Sequence, residues 1–166
     1  NIVDLLMPPL SDLEIVIAFT LAGITRGVVV AIATAAVMIP FIDLQIHNLG
    51  VIIFFSVFAS AIMSLVGFIS GIWAEKWDHL GTVGNFVIVP LSFLSGTFYS
   101  ISVLPKTIQQ VSLINPFFYM IDGFRYGFIG ASDTSLTVSF VVIFSLFFIL
   151  LIISYYILKS GYKLRS

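Results

Sequence analysis

Asp122 and Arg125 are two charged side chains in an otherwise apolar and aromatic segment, NPFFYMIDGFRYGFIG, which covers residues 115–130. Three residues apart on a helix, a carboxylate and a guanidinium lie on one face and can pair. Each charge placed alone in hydrocarbon would cost about 2.5–3.5 kcal/mol on insertion scales, and pairing lowers that cost without removing it. The spacing therefore predicts a structural ion pair.

Arg26 is a further charge inside a long apolar run. Counted from Ile15 along a helix, it lies about 16 Å deep, which is near the middle of a bilayer if the helix starts at the surface. An arginine at that depth is a candidate functional residue. Its side chain could equally extend to the headgroups, and the sequence leaves both readings open.

Two pairs of glycines four residues apart predict close helix packing. Gly23 and Gly27 flank Arg26, and Gly67 and Gly71 repeat the spacing in a later apolar run. Small residues at this spacing let two membrane helices approach closely. The second pair is also compatible with a seam between two copies of the chain.

Motifs for catalysis and for metal binding are missing. No lysine follows a glycine, as a phosphate-binding loop requires, and G-x-S-x-G and H-E-x-x-H do not occur. The chain has no cysteine, which excludes thiol catalysis and cysteine-ligated metals. His79 with Glu75 and Asp78 is too small a ligand set for a metal site. We predict no catalytic residue, no metal and no cofactor in this chain.

Composition places these residues in a membrane protein. Of the 166 residues, 60% are hydrophobic and 9% are charged, whereas soluble domains carry about 25% charged residues. The net charge of −1 gives no basis for nucleic-acid binding. The apolar runs do not alternate as barrel strands must. The predicted fold class is therefore an all-α integral membrane protein whose surroundings are membrane lipids.

Four apolar runs reach the length of about 20 residues that a membrane span needs. The predicted transmembrane helices are residues 15–42, 49–74, 82–104 and 136–158. The chain begins at Asn1 without a signal peptide, which predicts a single transmembrane domain, residues 1–166, that is part of a longer protein.

Residues 105–135 form the long connection between the third and fourth runs. Pro105 suits a helix start, and Asn115-Pro116 breaks the helix that follows it, so two short helices are predicted. The 16 residues from Asn115 to Gly130 make about 24 Å of helix, short of a hydrocarbon core of roughly 30 Å. A re-entrant hairpin is therefore preferred to a fifth span, although the Lys and Arg distribution fits both. Both topologies place residues 159–166 in the cytoplasm.

The stretch from Pro90 to Gly130 resembles the membrane subunit of type-2 ABC transporters, and PLSDLEIVIAFTLAGITRG resembles that family's entry to its third helix. The residues that carry the likeness are Pro90, Phe93, Ser95, Gly96, Phe98, Tyr99, Leu104-Pro105, Asn115-Pro116 and Asp122-Gly123-Phe124-Arg125.

The resemblance implies that the four spans are the third to sixth of a six-span fold, and that residues 105–135 form a hairpin on the extracytoplasmic side. It implies a permease of a bacterial inner-membrane exporter, with a cytoplasmic C-terminus. The expected partners are an ABC ATPase, which binds ATP and Mg, and a second copy of the permease. A drug, a lipid or a lipid-linked glycan remains open as substrate. The alternative is a non-transporting assembly or sensor component, or part of an ion-driven carrier.

Two sets of residues receive roles from the same resemblance. Residues 1–14 are expected to contact the ATPase, and Ser11 and Glu14 also match a capping box at the start of the first span. The coupling residues are Asp4, Pro8, Pro9, Ser11 and Glu14. Phe93, Phe98 and Tyr99 are candidate residues lining the exit path.

Overall fold

The computed structural model describes residues 10–43, 45–74, 81–98 and 100–160. Throughout these ranges the regular structure is helical and contains no strand, so the predicted all-α fold class is confirmed. The helices are α1 (Asp12–Met38), α2 (Leu49–Trp73), α3 (Gly81–Phe93), α4 (Lys106–Ile114), α5 (Pro116–Ile129) and α6 (Leu136–Lys159).

Three of these helices, α1, α2 and α6, are long and apolar enough to cross a membrane, with 27, 25 and 24 residues. The third predicted span, residues 82–104, contains a shorter apolar helix, α3, that includes a π-helical stretch at Gly84–Ile88. After α3 the chain turns at residues 94–96 and reaches a 3₁₀ turn at Ile101–Val103. This run is therefore a broken helix.

The break after α3 is built from local hydrogen bonds. Gly96 has φ 78°, a left-handed conformation that glycine adopts without steric cost. The hydroxyl of Thr97 donates to the carbonyl of Ser92 over 2.9 Å, and the hydroxyl of Ser95 donates to the same carbonyl. Serine and threonine bonds of this kind compete with the helical pattern, and here they end α3.

The central helix of the bundle is α2, which packs against α1, α5 and α6. Toward its start, Phe55 and Ile62 share a buried cluster with Met120 of α5 and Ile143 of α6. Toward its end, Leu65 shares a second cluster with residues near the start of α1 and the end of α6. The start of α1 and the end of α6 therefore lie at the same end of the bundle.

The hairpin helix α5 runs antiparallel to α2 along the half that begins at Asn48. Gly127 faces Ile52 and Gly123 faces the ring of Phe55, so the numbers fall on one helix as they rise on the other. The carbonyl of Gly127 accepts the backbone N–H of Asn48 over 2.8 Å. At 1.5 Å per residue, α5 is about 20 Å long and α2 about 36 Å. The hairpin helix thus covers only about half of α2.

The described helices form two groups, which α5 connects. Among the described helices, α3 lies against α5 alone, and α4 lies against α5 and the 3₁₀ turn. The helices α1, α2 and α6 all touch one another. Only α5 contacts both groups.

Close contact between α1 and α2 depends on Gly23 and Gly27. A Cβ at Gly23 would overlap the Cβ of Ser64, and one at Gly27 would overlap the side chain of Ser60. The hydroxyl of Ser64 also donates to the carbonyl of Phe19 over 2.9 Å. A Cβ at Gly67 or Gly71 would meet no described atom within 4 Å.

We predict opposite effects for alanine at Gly23 and at Gly67. Gly23→Ala should destabilise the protein by about 1–3 kcal/mol, because overlap with the Cβ of Ser64 forces two backbones apart. Gly67→Ala is the control and should be neutral or stabilising by up to about 1 kcal/mol, since alanine favours a helix interior. Thermal unfolding of the detergent-solubilised protein measures both. Equal melting temperatures would contradict the packing role of Gly23.

Candidate functional site: the hairpin charge cluster and the groove beside it

Three charged side chains, Asp122, Arg125 and Asp133, meet where α5 ends and α6 begins. Nη2 of Arg125 lies 2.9 Å from Oδ1 of Asp122 and 2.7 Å from Oδ2 of Asp133. The side chain of Asp122 is 1% exposed and that of Arg125 is 25% exposed. One guanidinium therefore bridges two carboxylates, where the sequence predicted a single pair.

Asp122 also receives three hydrogen bonds from the loop that follows α5. Oδ1 accepts the backbone N–H of Asp133 over 2.8 Å, and Oδ2 accepts the N–H and hydroxyl of Thr134 over 3.2 and 2.9 Å. The loop can fold back because Gly130 ends α5 with φ 70°. Burying a carboxylate is costly unless donors surround it, and these donors offset the cost.

Asp133 connects the hairpin to the chain beyond the break in α3. Its carboxylate accepts the hydroxyl of Ser100 and, over 3.2 Å, the backbone N–H of Ile101. Burial acts to raise the pKa of Asp133, but hydrogen bonds from Ser100, Arg125 and Ile101 outweigh it and hold that pKa below its ordinary value of 3.8. Because the folded-state pKa is lowered, this stabilisation is present at neutral pH and is lost only as acid protonates the folded form.

The cluster holds the loop after α5 and the chain beyond the break in α3 against the hairpin. Every carboxylate oxygen of Asp122 and Asp133 already accepts a hydrogen bond or lies in an ion pair. Among the described residues, no three His, Asp or Glu side chains gather as metal ligands. The set formed by Glu75, Asp78 and His79 lies outside the described residues.

Sequence reasoning missed Asp133, Thr134 and Ser100. Helical spacing finds partners three or four residues away, whereas Asp133 is eight residues from Arg125 and lies beyond a helix end. The one local signal is the composition of ASDTS after Gly130, which is typical of a turn that bonds to its own backbone.

An apolar groove of about 820 Å³ lies between α1, α2 and α5. Its walls carry Val28, Ile32 and Ala35 from α1, and Phe124 and Phe128 from α5. Asp43, five residues after the end of α1, is the one charged residue among its described lining residues. A volume of this size is in the range of drug-sized ligand pockets.

The sequence profile of ABC-2 type transporters matches residues 1–129, from the start of the chain to the last residue of α5. The chain belongs to the ABC-2 type transporter family. The predicted resemblance is confirmed. The matched region includes the pair Asp122 and Arg125 but stops before Asp133.

Curated relatives of this ABC-2 chain are longer than the chain itself. The inner membrane transport permease YadH of Escherichia coli strain K12 is 34% identical over all 166 residues, which span 65% of its length. The proteins of the same name from Escherichia coli O157:H7 and Shigella flexneri match to the same extent. No solved structure matches the chain significantly.

The residues that the ABC-2 resemblance assigned to ATPase coupling are only partly described. Ser11 and Glu14 form a complete capping box: the backbone N–H of Ser11 donates to Oε2 of Glu14 over 2.7 Å, and Glu14 N–H donates back to the hydroxyl of Ser11. Asp4, Pro8 and Pro9 lie outside the described residues.

Phe93, Phe98 and the predicted intramembrane arginine, Arg26, lie at the surface of the chain. Phe93 and Phe98 stack with ring centroids 5.6 Å apart and are 55% and 73% exposed. Tyr99 lies outside the described residues. Arg26 is exposed on α1 and forms no ion pair with a described residue.

We predict that alanine at Asp122 destabilises the protein more than alanine at Arg125. Asp122→Ala leaves the backbone N–H groups of Asp133 and Thr134 without their acceptor and the partly buried guanidinium with Asp133 alone, which should cost about 3–5 kcal/mol. Arg125→Ala should cost less, because both carboxylates keep donors from the loop and from Ser100. Melting temperatures in detergent measure the order.

The double variant Asp122→Ala/Arg125→Ala provides the control for coupling. Residues in one network are not additive, so its destabilisation should be smaller than the sum of the two single effects. A strictly additive result, or a larger loss for Arg125→Ala, would contradict the role of Asp122 as the centre of the cluster.

Proposed function

We propose that this chain is the membrane-spanning part of the permease of an ATP-driven ABC exporter in a bacterial inner membrane. The observation that carries the proposal is the family match across residues 1–129. The name of the relatives, inner membrane transport permease, supports the location and the transport role. The chain contributes the path, and ATP hydrolysis takes place on a partner.

The hairpin of α4 and α5 enters the membrane from the extracytoplasmic side and returns to it. In support, α5 covers only about half of α2, and its final residues meet Asn48 at the end of the bundle opposite to the start of α1. A helix of about 20 Å is too short to cross a core of roughly 30 Å. Residues 159–166 then lie in the cytoplasm with the start of α1.

The partners are an ABC ATPase, which holds ATP and Mg, and a second copy of the permease. Residues 1–14 contact the ATPase. The capping box at Ser11 and Glu14 stabilises the start of α1, so that a displacement at this contact is passed to the helix. From there, close packing at Gly23 and Gly27 passes a displacement of α1 to α2, and Gly123 passes it to α5. Packed helices without voids move together, since interiors are hard to compress.

The substrate carries an apolar portion, as a drug, a lipid or a lipid-linked glycan does. The groove between α1, α2 and α5 supports this, because its described lining offers mainly aliphatic and aromatic surface. Free sugars need many hydrogen-bond partners, which this lining does not provide. The aromatics Phe93 and Phe98 lie farther along the broken helix as candidate exit residues.

Single cysteines test the topology, because the native chain has none. A membrane-impermeant maleimide added to intact cells should label Ala131→Cys, which is exposed in the loop after α5. Leu10→Cys, exposed at the opposite end of the bundle, should react only after the membrane is permeabilised. Labelling of both cysteines in intact cells would restore the five-span alternative, and the reverse pattern would indicate the opposite orientation.

The function is tested with the full-length permease and its ATPase reconstituted together in lipid. Hydrophobic drugs, lipids and lipid-linked glycans should be screened for stimulation of ATP hydrolysis, and the stimulating compound for ATP-dependent transport. Failure of every class to stimulate hydrolysis or to be transported would contradict the exporter.

A matched pair of variants then tests the groove. Ala35→Trp fills it and should weaken stimulation by the substrate about tenfold or more, since a loss of about 1.4 kcal/mol already has that effect. Val30→Trp, on an exposed face of α1 outside the groove lining, is the control and should keep the native response. Equal responses of the two variants would remove the groove from the substrate path.

A further inference from the structure

The break after α3 leaves a backbone carbonyl without its helical donor, and the hairpin supplies a replacement. In a continuous helix the carbonyl of Leu91 would accept the N–H of Ser95, but that N–H bonds to Ser92 over 3.3 Å. The side-chain amide of Asn115 donates to the carbonyl of Leu91 over 2.6 Å instead. Asn115 is 4% exposed, so this bond is shielded from water.

The same asparagine starts the hairpin helix. Oδ1 of Asn115 accepts the backbone N–H of Phe117 over 3.0 Å, while its amide nitrogen reaches Leu91. The bend of the hairpin and the end of α3 therefore share one side chain. A change in the position of either element strains the bond to the other.

The second attachment lies at the other end of α5. Asp133 accepts the hydroxyl of Ser100 and the N–H of Ile101, and the same carboxylate is paired with Arg125. The break segment, residues 94–98, thus lies between two points that are both fixed to the hairpin. Its ring pair, Phe93 and Phe98, is exposed, and α3 has no other described helix against it.

The two attachments differ in strength. At Asn115 a single neutral hydrogen bond joins the hairpin to α3. At Asp133 two donors from the chain beyond the break meet a charged acceptor that an arginine and the loop hold in place. Hydrogen bonds to ionised groups are stronger than neutral ones. Separation of α3 from α5 should therefore begin at Asn115.

We propose that Asn115 and Asp133 are positioning residues of the transport path: the contact between Asn115 and Leu91 opens during the cycle, while the contact of Asp133 with Ser100 and Ile101 holds as the hinge. The inference rests on the proposed function for its cycle, and on the hydrogen bonds alone for its two attachment points. The exposed ring pair moves with the end of α3, away from the bend of the hairpin.

Two pairs of spin labels test this in the full-length permease with its ATPase, reconstituted in lipid. Cysteines at Val89 and Ile114 flank the Asn115 attachment, and cysteines at Val103 and Ile129 flank the Asp133 attachment; all four positions are exposed. The distance in the first pair should lengthen between the nucleotide-free and the ATP-trapped states. The distance in the second pair should stay the same. Movement of the second pair, or a fixed first pair, overturns the hinge.

Variants separate the two attachments. Asn115→Ser keeps an oxygen for the cap but is too short to reach Leu91, so the two labels of the first pair should already be farther apart without nucleotide. Ser100→Ala removes one donor at the hinge and leaves the pair of Asp122 and Arg125 intact. It should mobilise the second pair and reduce export about tenfold. Loss of export in a folded Asn115→Ser, with Ser100→Ala unaffected, overturns the assignment.

The two proposals fail in different ways. The unsubstituted protein could transport no substrate with ATP while the distance in the first spin-label pair still lengthens with nucleotide. That result contradicts the exporter and leaves the hinge standing. If the unsubstituted protein transports a substrate while the distance in the first spin-label pair does not change, the hinge is contradicted and the exporter stands.

Discussion

A backbone carbonyl or amide in a hydrocarbon layer must find a partner inside the protein, and this requirement governs each interruption of a helix in the described chain. Where α3 ends, Thr97 bonds to the carbonyl of Ser92 and Asn115 bonds to that of Leu91. Where α5 ends, the carboxylate of Asp122 accepts hydrogen bonds from the backbone N–H groups of the following loop. At these two breaks, polar side chains therefore supply the missing backbone partners.

The same requirement explains why the charged side chains of the hairpin cluster are held in ion pairs and hydrogen bonds. Arg125 faces Asp122 and Asp133, and both carboxylates also bind backbone or hydroxyl donors. A carrier driven by ion binding needs an ionisable group that can exchange its ion or proton. The carboxylates of this cluster are instead held by fixed donors. This favours the proposed permease driven by a partner ATPase over an ion-driven carrier.

The sequence was sufficient for those features that depend on composition or on helical spacing. Runs of apolar residues gave the long helices, Ser11 and Glu14 gave a capping box, and three-residue spacing brought Asp122 to Arg125. Contacts between segments far apart in the chain could not be read in this way. The partners of Asp133 lie 8, 32 and 33 residues away, and that of Asn115 lies 24 residues away, with no periodicity to connect them.

The glycines show the same limit of sequence reasoning, because their spacing does not determine which atoms pack against them. Gly23 and Gly67 stand in the same small-xxx-small pattern, yet the first touches Ser64 and the second touches no described atom. The pattern states that a close approach is sterically allowed, and only the neighbouring helix decides whether it occurs. Gly123 and Gly127 have the same spacing on α5, and both come close to α2, at Phe55 and Ile52. This approach matters most for the hairpin, because α5 alone joins α3 and α4 to the rest of the described helices. A displacement of α2 can therefore reach the hairpin through the contact of Gly123 and Gly127 with Phe55 and Ile52, and the broken helix through Asn115 and Asp133.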